Sequence, residues 1–229
     1  MKKLLALFLL VSAFGLFAAP EITIIGQVRH SFSPYGLKVN AFYLKKDFSA
    51  ADANKLIQSI KSSKMVVVAE TATVVNAVFS NTPIKNALSE FFKNGGTFVL
   101  WIPSWSWMNN PPRSMYGYFN YYKVYLPMGY KGFGRGKIVT CEMDSKFAKM
   151  LNLPENMALG TRGANNRPLR GAWQVVLRAS DDSAAALWQE NVMGNGKVLI
   201  SYLPIMHDIQ AAKFVEALTR YAYGDLLKK

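Results

Sequence analysis

Residues 84–101 read "IKNALSEFFKNGGTFVLW" and join a predicted helix to a predicted strand. Thr82-Pro83 supplies a cap and an early proline for the helix, whose apolar residues recur at helical spacing. Asn94-Gly95-Gly96 ends the helix, because glycine readily adopts the left-handed conformation. Thr97–Ile102 is then apolar throughout, which is typical of a strand buried on both faces.

The same alternation continues on both sides of this segment. Ser49 and Asp52 have the spacing of a capping box before a helix over 50–62, and Met65–Ala69 is another apolar run. Further strands are predicted near 22–26, 39–44, 137–141, 173–178, 184–189 and 197–203, with helices near 144–151 and 209–222. The pattern favours an α/β domain with a mainly parallel, flavodoxin-like sheet flanked by helices. The more polar later strands predict an antiparallel extension, and residues 101–136 predict a long aromatic insertion.

The N-terminus has the order of a secretory signal. Lys2-Lys3 precede the apolar run Leu4–Phe17, and Ala18-Ala19 follow it. That run is shorter than the roughly 20 residues that span a bilayer, so no stable membrane span is expected after signal removal. Residues 1–19 are a predicted signal peptide, and 20–229 a single exported domain in the periplasm or outside the cell. A retained N-terminal anchor is the alternative.

Charge and cysteine content narrow the classes of partner. The formal net charge is +13, which favours anionic partners such as acidic polysaccharide, cell wall or lipid headgroups, unless it serves only solubility. Export argues against nucleic acid. Cys141 is the single cysteine and follows apolar residues, so we expect a buried structural thiol. No cysteine pair is available for a zinc or redox motif, and neither a metal nor a cofactor is predicted.

Three segments resemble the class I glutamine amidotransferase-like fold: "SAADANKLIQSIKSSKMVVVAE" (49–70), "IKNALSEFFKNGGTFVLW" (84–101) and "NGKVLISYLP" (195–204). The sequence looks most like the branch that contains the trehalose-utilisation family and the middle domains of some glycosidases. The resemblance covers most of the mature chain. It implies the fold, because these motifs encode fold geometry rather than chemistry.

Glutaminase chemistry does not follow from the resemblance. In that family, the strand after the Gly-Gly helix leads to a tight elbow that holds a nucleophilic cysteine. Here the corresponding residues, 102–107, are "IPSWSW" and contain neither cysteine nor glycine. Ser104 and Ser106 lack an adjacent base, so no amidotransferase activity is expected.

Candidate ligand-binding residues follow the ends of the predicted strands. In an open α/β sheet, ligands bind outside the carboxyl ends of the strands. That rule selects His30, Glu70, His207 and Asp208. The aromatic insertion, which follows one such strand end, adds Trp105, Trp107 and Arg113. The alternative is that both histidines are ordinary loop residues and that Asp208 caps the last helix. The scattered positions predict no metal site.

The aromatic insertion allows two interpretations. Trp101 belongs to an apolar strand and is expected in the core, whereas Trp105 and Trp107 follow Pro103 and at least one of them is expected to face a ligand. Flat rings suit the apolar faces of sugars, and Arg113 suits carboxylate or sulfate groups. The alternative is that the rings form a small core of their own, and both arrangements can hold for different rings.

These observations favour a secreted, non-catalytic domain that binds a carbohydrate, including an anionic one, at the strand ends. One alternative is a hydrolase that acts on a glycan through Glu70, His30 or Asp208. Another is a subunit of an envelope complex that uses the aromatic insertion as a protein interface, because Tyr, Trp and Arg are enriched at interface hot spots.

Overall fold

The computed structural model describes most of the predicted domain. The described residues are 21–26, 37–101, 107, 111–127, 129, 131–132, 139–159, 163–203 and 209–224. The predicted signal peptide lies outside them. None of the described helices is long and apolar enough to cross a membrane.

Within these residues the chain forms eleven strands and six helices. The strands are β1 (Glu21–Gly26), β2 (Lys38–Phe42), β3 (Ser63–Ala69), β4 (Thr97–Trp101), β5 (Lys131–Gly132), β6 (Val139–Met143), β7 (Asn156–Leu159), β8 (Gly163–Ala164), β9 (Gln174–Ala179), β10 (Ala184–Val192) and β11 (Gly196–Ser201). The helices are α1 (Ala50–Ser62), α2 (Ala72–Ser80), α3 (Thr82–Lys93), α4 (Arg113–Tyr121), α5 (Ser145–Leu151) and α6 (Ile209–Tyr223).

One nine-stranded sheet organises the domain, with the order β2-β1-β3-β4-β11-β10-β9-β6-β7. The first five strands in that order, from β2 at the edge to β11, run parallel to one another. The other four strands of the sheet, β10, β9, β6 and β7, add antiparallel pairs on one side. When the five parallel strands are numbered 1 to 5 as they occur along the chain, their order across the sheet is 2-1-3-4-5. This is the flavodoxin-like order. The predicted α/β class with an antiparallel extension is therefore confirmed.

The segment that joins α3 to β4 forms nearly as the sequence predicts. The N-cap is Asn81 rather than Thr82, since the Asn81 side chain accepts a hydrogen bond from the Ile84 N–H at 3.2 Å. At the other end, the N–H of Gly95 donates to the Phe92 carbonyl at 3.0 Å and that of Gly96 to the Phe91 carbonyl at 2.9 Å. Gly95 has a φ of 81°, so the left-handed helix end is confirmed.

Two helices were not anticipated from the sequence. α2 is rich in valine, which lowers helix propensity, and it is capped by the Thr71 side chain. α4 lies inside the aromatic insertion and begins directly after Pro112, where a proline does not interrupt a helix. Both helices are stabilised by tertiary packing against each other and the sheet, which local propensity does not report.

The core has two layers, one on each face of the sheet. Alternate residues of β4 point to opposite faces, so Phe98 packs with the first four helices and Trp101 with α5 and α6. The insertion contributes Phe119 to the first layer. Its ring centroid lies 6.0 Å from that of Phe79, 5.8 Å from Phe92 and 5.7 Å from Phe98. The insertion is therefore part of the domain core.

Gly196, at the start of β11, provides a test of how closely α3 approaches the sheet. A Cβ at this position would lie 2.7 Å from the Val192 carbonyl oxygen and 2.9 Å from the Phe92 Cα. Backbone atoms cannot rotate away, so Gly196→Ala should lower the free energy of unfolding by about 1–3 kcal/mol.

Gly117→Ala is the matched control, because no atom lies within 4 Å of a Cβ added in the middle of α4. The same substitution there should raise the free energy of unfolding by up to about 1 kcal/mol, the difference in helix propensity. Urea titrations measure both variants. A gain in stability for Gly196→Ala would contradict the close contact between α3 and β11.

Candidate functional site

The parallel strands have a topological switch point between β1 and β3. From β1 the chain continues to β2 on one side, and from β3 it continues through α2 and α3 to β4 on the other side. Such a reversal leaves a crevice at the carboxyl ends of the two strands, where ligands bind in open α/β sheets. The two strands end together, because Gly26 pairs with Ala69.

Gly26 permits a very close approach at this point. Its φ is 103°, and a Cβ there would lie 2.3 Å from the Ala69 carbonyl oxygen and 3.0 Å from Cγ of Glu70. A residue with a side chain would both strain the backbone and displace Glu70. The glycine therefore determines where the Glu70 side chain can lie.

Glu70 is the predicted site residue that the structure places directly at the switch point. It is half-buried and follows the last residue of β3. Its Oε2 accepts a hydrogen bond from the Thr71 N–H at 2.5 Å, and the Thr71 side chain in turn caps α2. These contacts hold a carboxylate at the carboxyl edge of the sheet, where it is available to accept hydrogen bonds from a ligand.

Trp107 connects the aromatic insertion to the same place. Its Nε1–H donates to the backbone carbonyl of Glu70 at 3.1 Å, so the structure brings together two of the predicted residues. The ring is only 4% exposed and belongs to the first core layer. Trp107 therefore packs in the domain core rather than in a separate small core of the insertion. A ligand-facing ring in this pair stays a prediction for Trp105, which lies outside the described residues.

Trp101 has the structural role expected for it. It is 3% exposed in β4, and its Nε1–H donates to the Leu203 carbonyl at 2.5 Å. The indole groups of Trp101 and Trp107 thus hydrogen bond to carbonyls that follow parallel strands. These bonds fix the ends of β3 and β11 relative to the rest of the core.

Arg113 is exposed at the start of α4. The next residue, Ser114, donates its N–H to Oδ1 of Asn76 at 2.9 Å, and its hydroxyl contacts that of Ser80 at 2.8 Å. α4 therefore begins beside the second half of α2. Glu70 precedes that helix, and the contacts of Ser114 therefore position Arg113 from the side of α2 rather than from the end of β3.

The remaining predicted site residues lie outside the described residues. They are His30, Trp105, His207 and Asp208. Their convergence with Glu70 stays a prediction. In the part of the chain that the structure describes, no group of three or more His, Cys, Asp or Glu side chains is placed to hold a metal ion.

Two buried polar residues at the same edge of the sheet were missed by the sequence analysis. Tyr202, directly after β11, donates its hydroxyl to the Gly129 carbonyl at 2.9 Å and so joins the insertion to the strand end. Asn165 pairs with Ala184 at the start of β10, and a Cβ on Gly129 would lie 2.0 Å from its Oδ1. Tyr202 was missed because the predicted strand, 197–203, extended past it, whereas the observed strand ends at Ser201. The position of Asn165 depends on tertiary structure.

Cys141 is buried in β6, as expected. Burial, with a smaller effect of the nearby Asp181 charge, raises the pKa of its thiol to about 11. Three strands, β11, β10 and β9, separate β6 from β4 in the sheet. The thiol is therefore protonated at neutral pH and remote from the strand end at which the amidotransferase-like family carries its nucleophile.

Comparison with known proteins supports the fold but assigns no family. No protein-family model and no curated protein matches the chain. A cytoplasmic protein of Salmonella typhimurium of known structure matches with a TM-score of 0.55 and 13% identity, over 87% of this chain and 98% of its own. A protein of Bacteroides uniformis described as ThuA-like matches with a TM-score of 0.55 and 13% identity, over 91% of this chain and 94% of its own.

These neighbours agree with a class I glutamine amidotransferase-like fold. A further cytoplasmic protein, from Salmonella typhimurium LT2, matches with a TM-score of 0.53 and 12% identity, over 89% of this chain and 95% of its own. Identities this low show the fold alone. Function has to be argued from the site.

The buried thiol gives a pH-dependent prediction. Its pKa rises from 9.0 in the unfolded chain to about 11 in the folded protein, so the unfolded state loses this proton first as pH rises. The free energy of unfolding should fall between those two values, with the thiol contributing at most about 2–3 kcal/mol to that fall. Cys141→Ala removes this contribution, so its stability should fall less steeply over the same interval.

Urea titrations of both proteins at pH 9 and pH 11, the two ends of the interval, measure the difference. Tyrosines with raised pKa values, such as the partly buried Tyr116, titrate in both proteins and cancel in the comparison. Equal losses of stability in the two proteins would show that the thiol is not buried as described.

Proposed function

We propose that this chain is a non-amidotransferase domain that binds a carbohydrate at the carboxyl edge of its parallel strands. The hydrogen bond from Trp107 to the Glu70 carbonyl supports the proposal most directly, because it fixes the aromatic insertion beside the switch point. Glu70 supplies an acceptor for sugar hydroxyl groups there. The Gly26–Ala69 approach keeps that acceptor in a defined position.

The absence of glutaminase chemistry is part of the proposal. Residues 102–107, which directly follow β4, contain no cysteine, and the chain's single cysteine lies in β6. A protonated, buried thiol is a poor nucleophile, because the thiolate is the reactive form.

Charge favours an anionic carbohydrate. The chain carries a formal net charge of +13, and residues 101–136 contain no Asp or Glu. Uronate or sulfate groups on a glycan would be attracted to such a surface. The signal-like N-terminus supports export, and therefore a site outside the cytoplasm.

Export can be tested by the intact mass of the secreted protein. The mass should correspond to loss of about 18 or 19 residues, the distance to Ala18-Ala19. A full-length mass in a membrane fraction would contradict export with cleavage.

Hydrolysis of a glycan remains the alternative in which Glu70 is catalytic. Glycosidases flank the scissile bond with two carboxyl groups, and Glu70 is the one carboxyl residue of the predicted catalytic set that lies among the described residues. Use of the insertion as a protein interface in an envelope complex is the other alternative.

The ligand site is tested with Glu70→Gln. Protein comprising residues 20–229 is first applied to a glycan array, and the affinity for the best-retained oligosaccharide is measured by calorimetry. Loss of a hydrogen bond to a charged group should lower that affinity by at least about tenfold. Glu142→Gln, at an exposed position of β6, is the control and should bind as the wild type does.

The outcomes separate the alternatives. Retention of a glycan that falls with Glu70→Gln and not with Glu142→Gln supports the proposal. Release of shorter products from the bound glycan would replace it with the hydrolase. Retention of no glycan, or equal affinity of both variants and the wild type, would contradict a carbohydrate site at the strand edge.

A further inference from the structure

A groove lies on the outer surface of the helical layer, away from the strand ends. Its volume is about 570 Å³, within the 300–1,000 Å³ typical of small-molecule clefts. The end of α2 and the first half of α3 form one wall, and α4 with the turn after it forms the other. The lining residues used below are Ser80, Lys85, Asn86, Gly117, Tyr121 and Tyr122.

Two tyrosine rings stand at the rim of this groove. Tyr121 is 80% exposed and Tyr122 is 37% exposed, and their rings are perpendicular with centroids 5.0 Å apart. The Tyr122 hydroxyl lies 3.1 Å from Oγ of Ser89, a buried residue that also bonds to the hydroxyl of Tyr118. The Tyr122 ring is therefore held in place before any ligand arrives, which reduces the entropy lost on binding.

Gly117 keeps the space between the two walls open. It lies within α4, where glycine lowers helix stability, and a Cβ added to it would meet no atom within 4 Å. No packing contact therefore requires glycine here. A larger side chain would instead reduce the free volume of the groove, because Gly117 is one of its lining residues.

The polar groups of the groove are neutral or positive. Ser80, Ser114, Asn86 and Lys85 line the same space as the rings, and none of the described lining residues is acidic. An aromatic face surrounded by hydroxyl and amide groups matches a sugar, which has an apolar face and a polar edge. A protein interface is instead centred on an apolar patch depleted of charge.

We propose that this groove binds an anionic oligosaccharide, with a sugar ring against Tyr121 and Tyr122 and a carboxylate or sulfate group near Lys85. The groove is separate from the strand-edge site. Its walls are the outer parts of α2, α3 and α4, whereas Glu70 precedes α2. The two sites can therefore be tested independently.

The experiment titrates the protein with hexagalacturonate, a heparin-derived hexasaccharide and neutral maltohexaose. The first two distinguish carboxylate from sulfate, and the third reports binding without charge. Gly117→Gln fills the groove and Tyr121→Ala removes an exposed ring, so each should lower the affinity for the anionic probe by about tenfold or more, which corresponds to about 1.4 kcal/mol. Gly117→Ala is the matched control and should bind within about twofold of the wild type.

Lys85→Met tests the charge separately from the shape. It should weaken binding of the anionic probe, reduce the dependence of that binding on salt, and leave maltohexaose binding unchanged. Thermal melts of every variant establish that it is folded. The exposed position of Tyr121 and the free space around Gly117 make a folding defect in these variants unexpected.

The two proposed sites give different results. Loss of binding in Gly117→Gln and Tyr121→Ala with normal binding in Glu70→Gln supports the groove and shows that the oligosaccharide does not bind through the strand-edge site. Loss in Glu70→Gln alone overturns the groove and leaves the strand-edge site. Absence of binding to all three probes, or capture of a protein partner that Gly117→Gln abolishes without any oligosaccharide binding, also overturns the groove proposal.

Discussion

The close approach of α3 to the beginnings of β4 and β11 is the constraint on which the rest of the structure depends. A Cβ on Gly96 would lie 2.4 Å from the Phe91 ring, and one on Gly196 would lie 2.9 Å from the Phe92 Cα. Because both positions are glycine, the Lys197 N–H can donate to the Gly96 carbonyl at 3.0 Å and start the parallel pairing of the two strands. That register carries through to Trp101 and Ser201, so both strands end at the same edge of the sheet. The candidate site lies along this edge, and its geometry is therefore set at the opposite end of the strands.

The aromatic insertion has two physical roles that depend on each other. Trp107 and Phe119 are buried and bind the insertion to the switch point and to the first core layer. Tyr121 and Tyr122 are then presented to solvent from a helix that cannot easily move, since Tyr118 and Tyr122 share the Ser89 hydroxyl. Exposed rings on a mobile loop would lose entropy on binding, whereas rings fixed by buried neighbours lose less. The segment thus uses part of its aromatic content for stability and leaves the remainder available for recognition.

The sequence predicts those elements of the architecture that have clear local signals, such as a capping residue and regular apolar spacing. α1 has the predicted bounds, 50–62, because Ser49 and Asp52 form the capping box and the apolar spacing is regular. α2 was missed, because its valines do not resemble a helix and its stability comes from packing against α4 and the sheet. The burial of Trp107 was likewise not predictable from a local pattern, because it accompanies a tertiary hydrogen bond to Glu70, far from it in sequence. Glu70 was found by the strand-end rule, whereas the groove requires the mutual placement of three helices, which no local pattern encodes.

The central claim is that the insertion is fixed to the switch point through Trp107, and hydrogen exchange of the Trp107 indole N–H tests it most directly. NMR spectra of ¹⁵N-labelled protein resolve indole groups, and a Trp107→Phe variant assigns the signal. Trp101 is the internal reference, because its indole N–H is buried and donates to the Leu203 carbonyl. The account predicts that the Trp107 indole N–H exchanges as slowly as that of Trp101, since both require opening of the core. Exchange of the Trp107 group at the rate of a solvent-exposed indole, with Trp101 still protected, would contradict it.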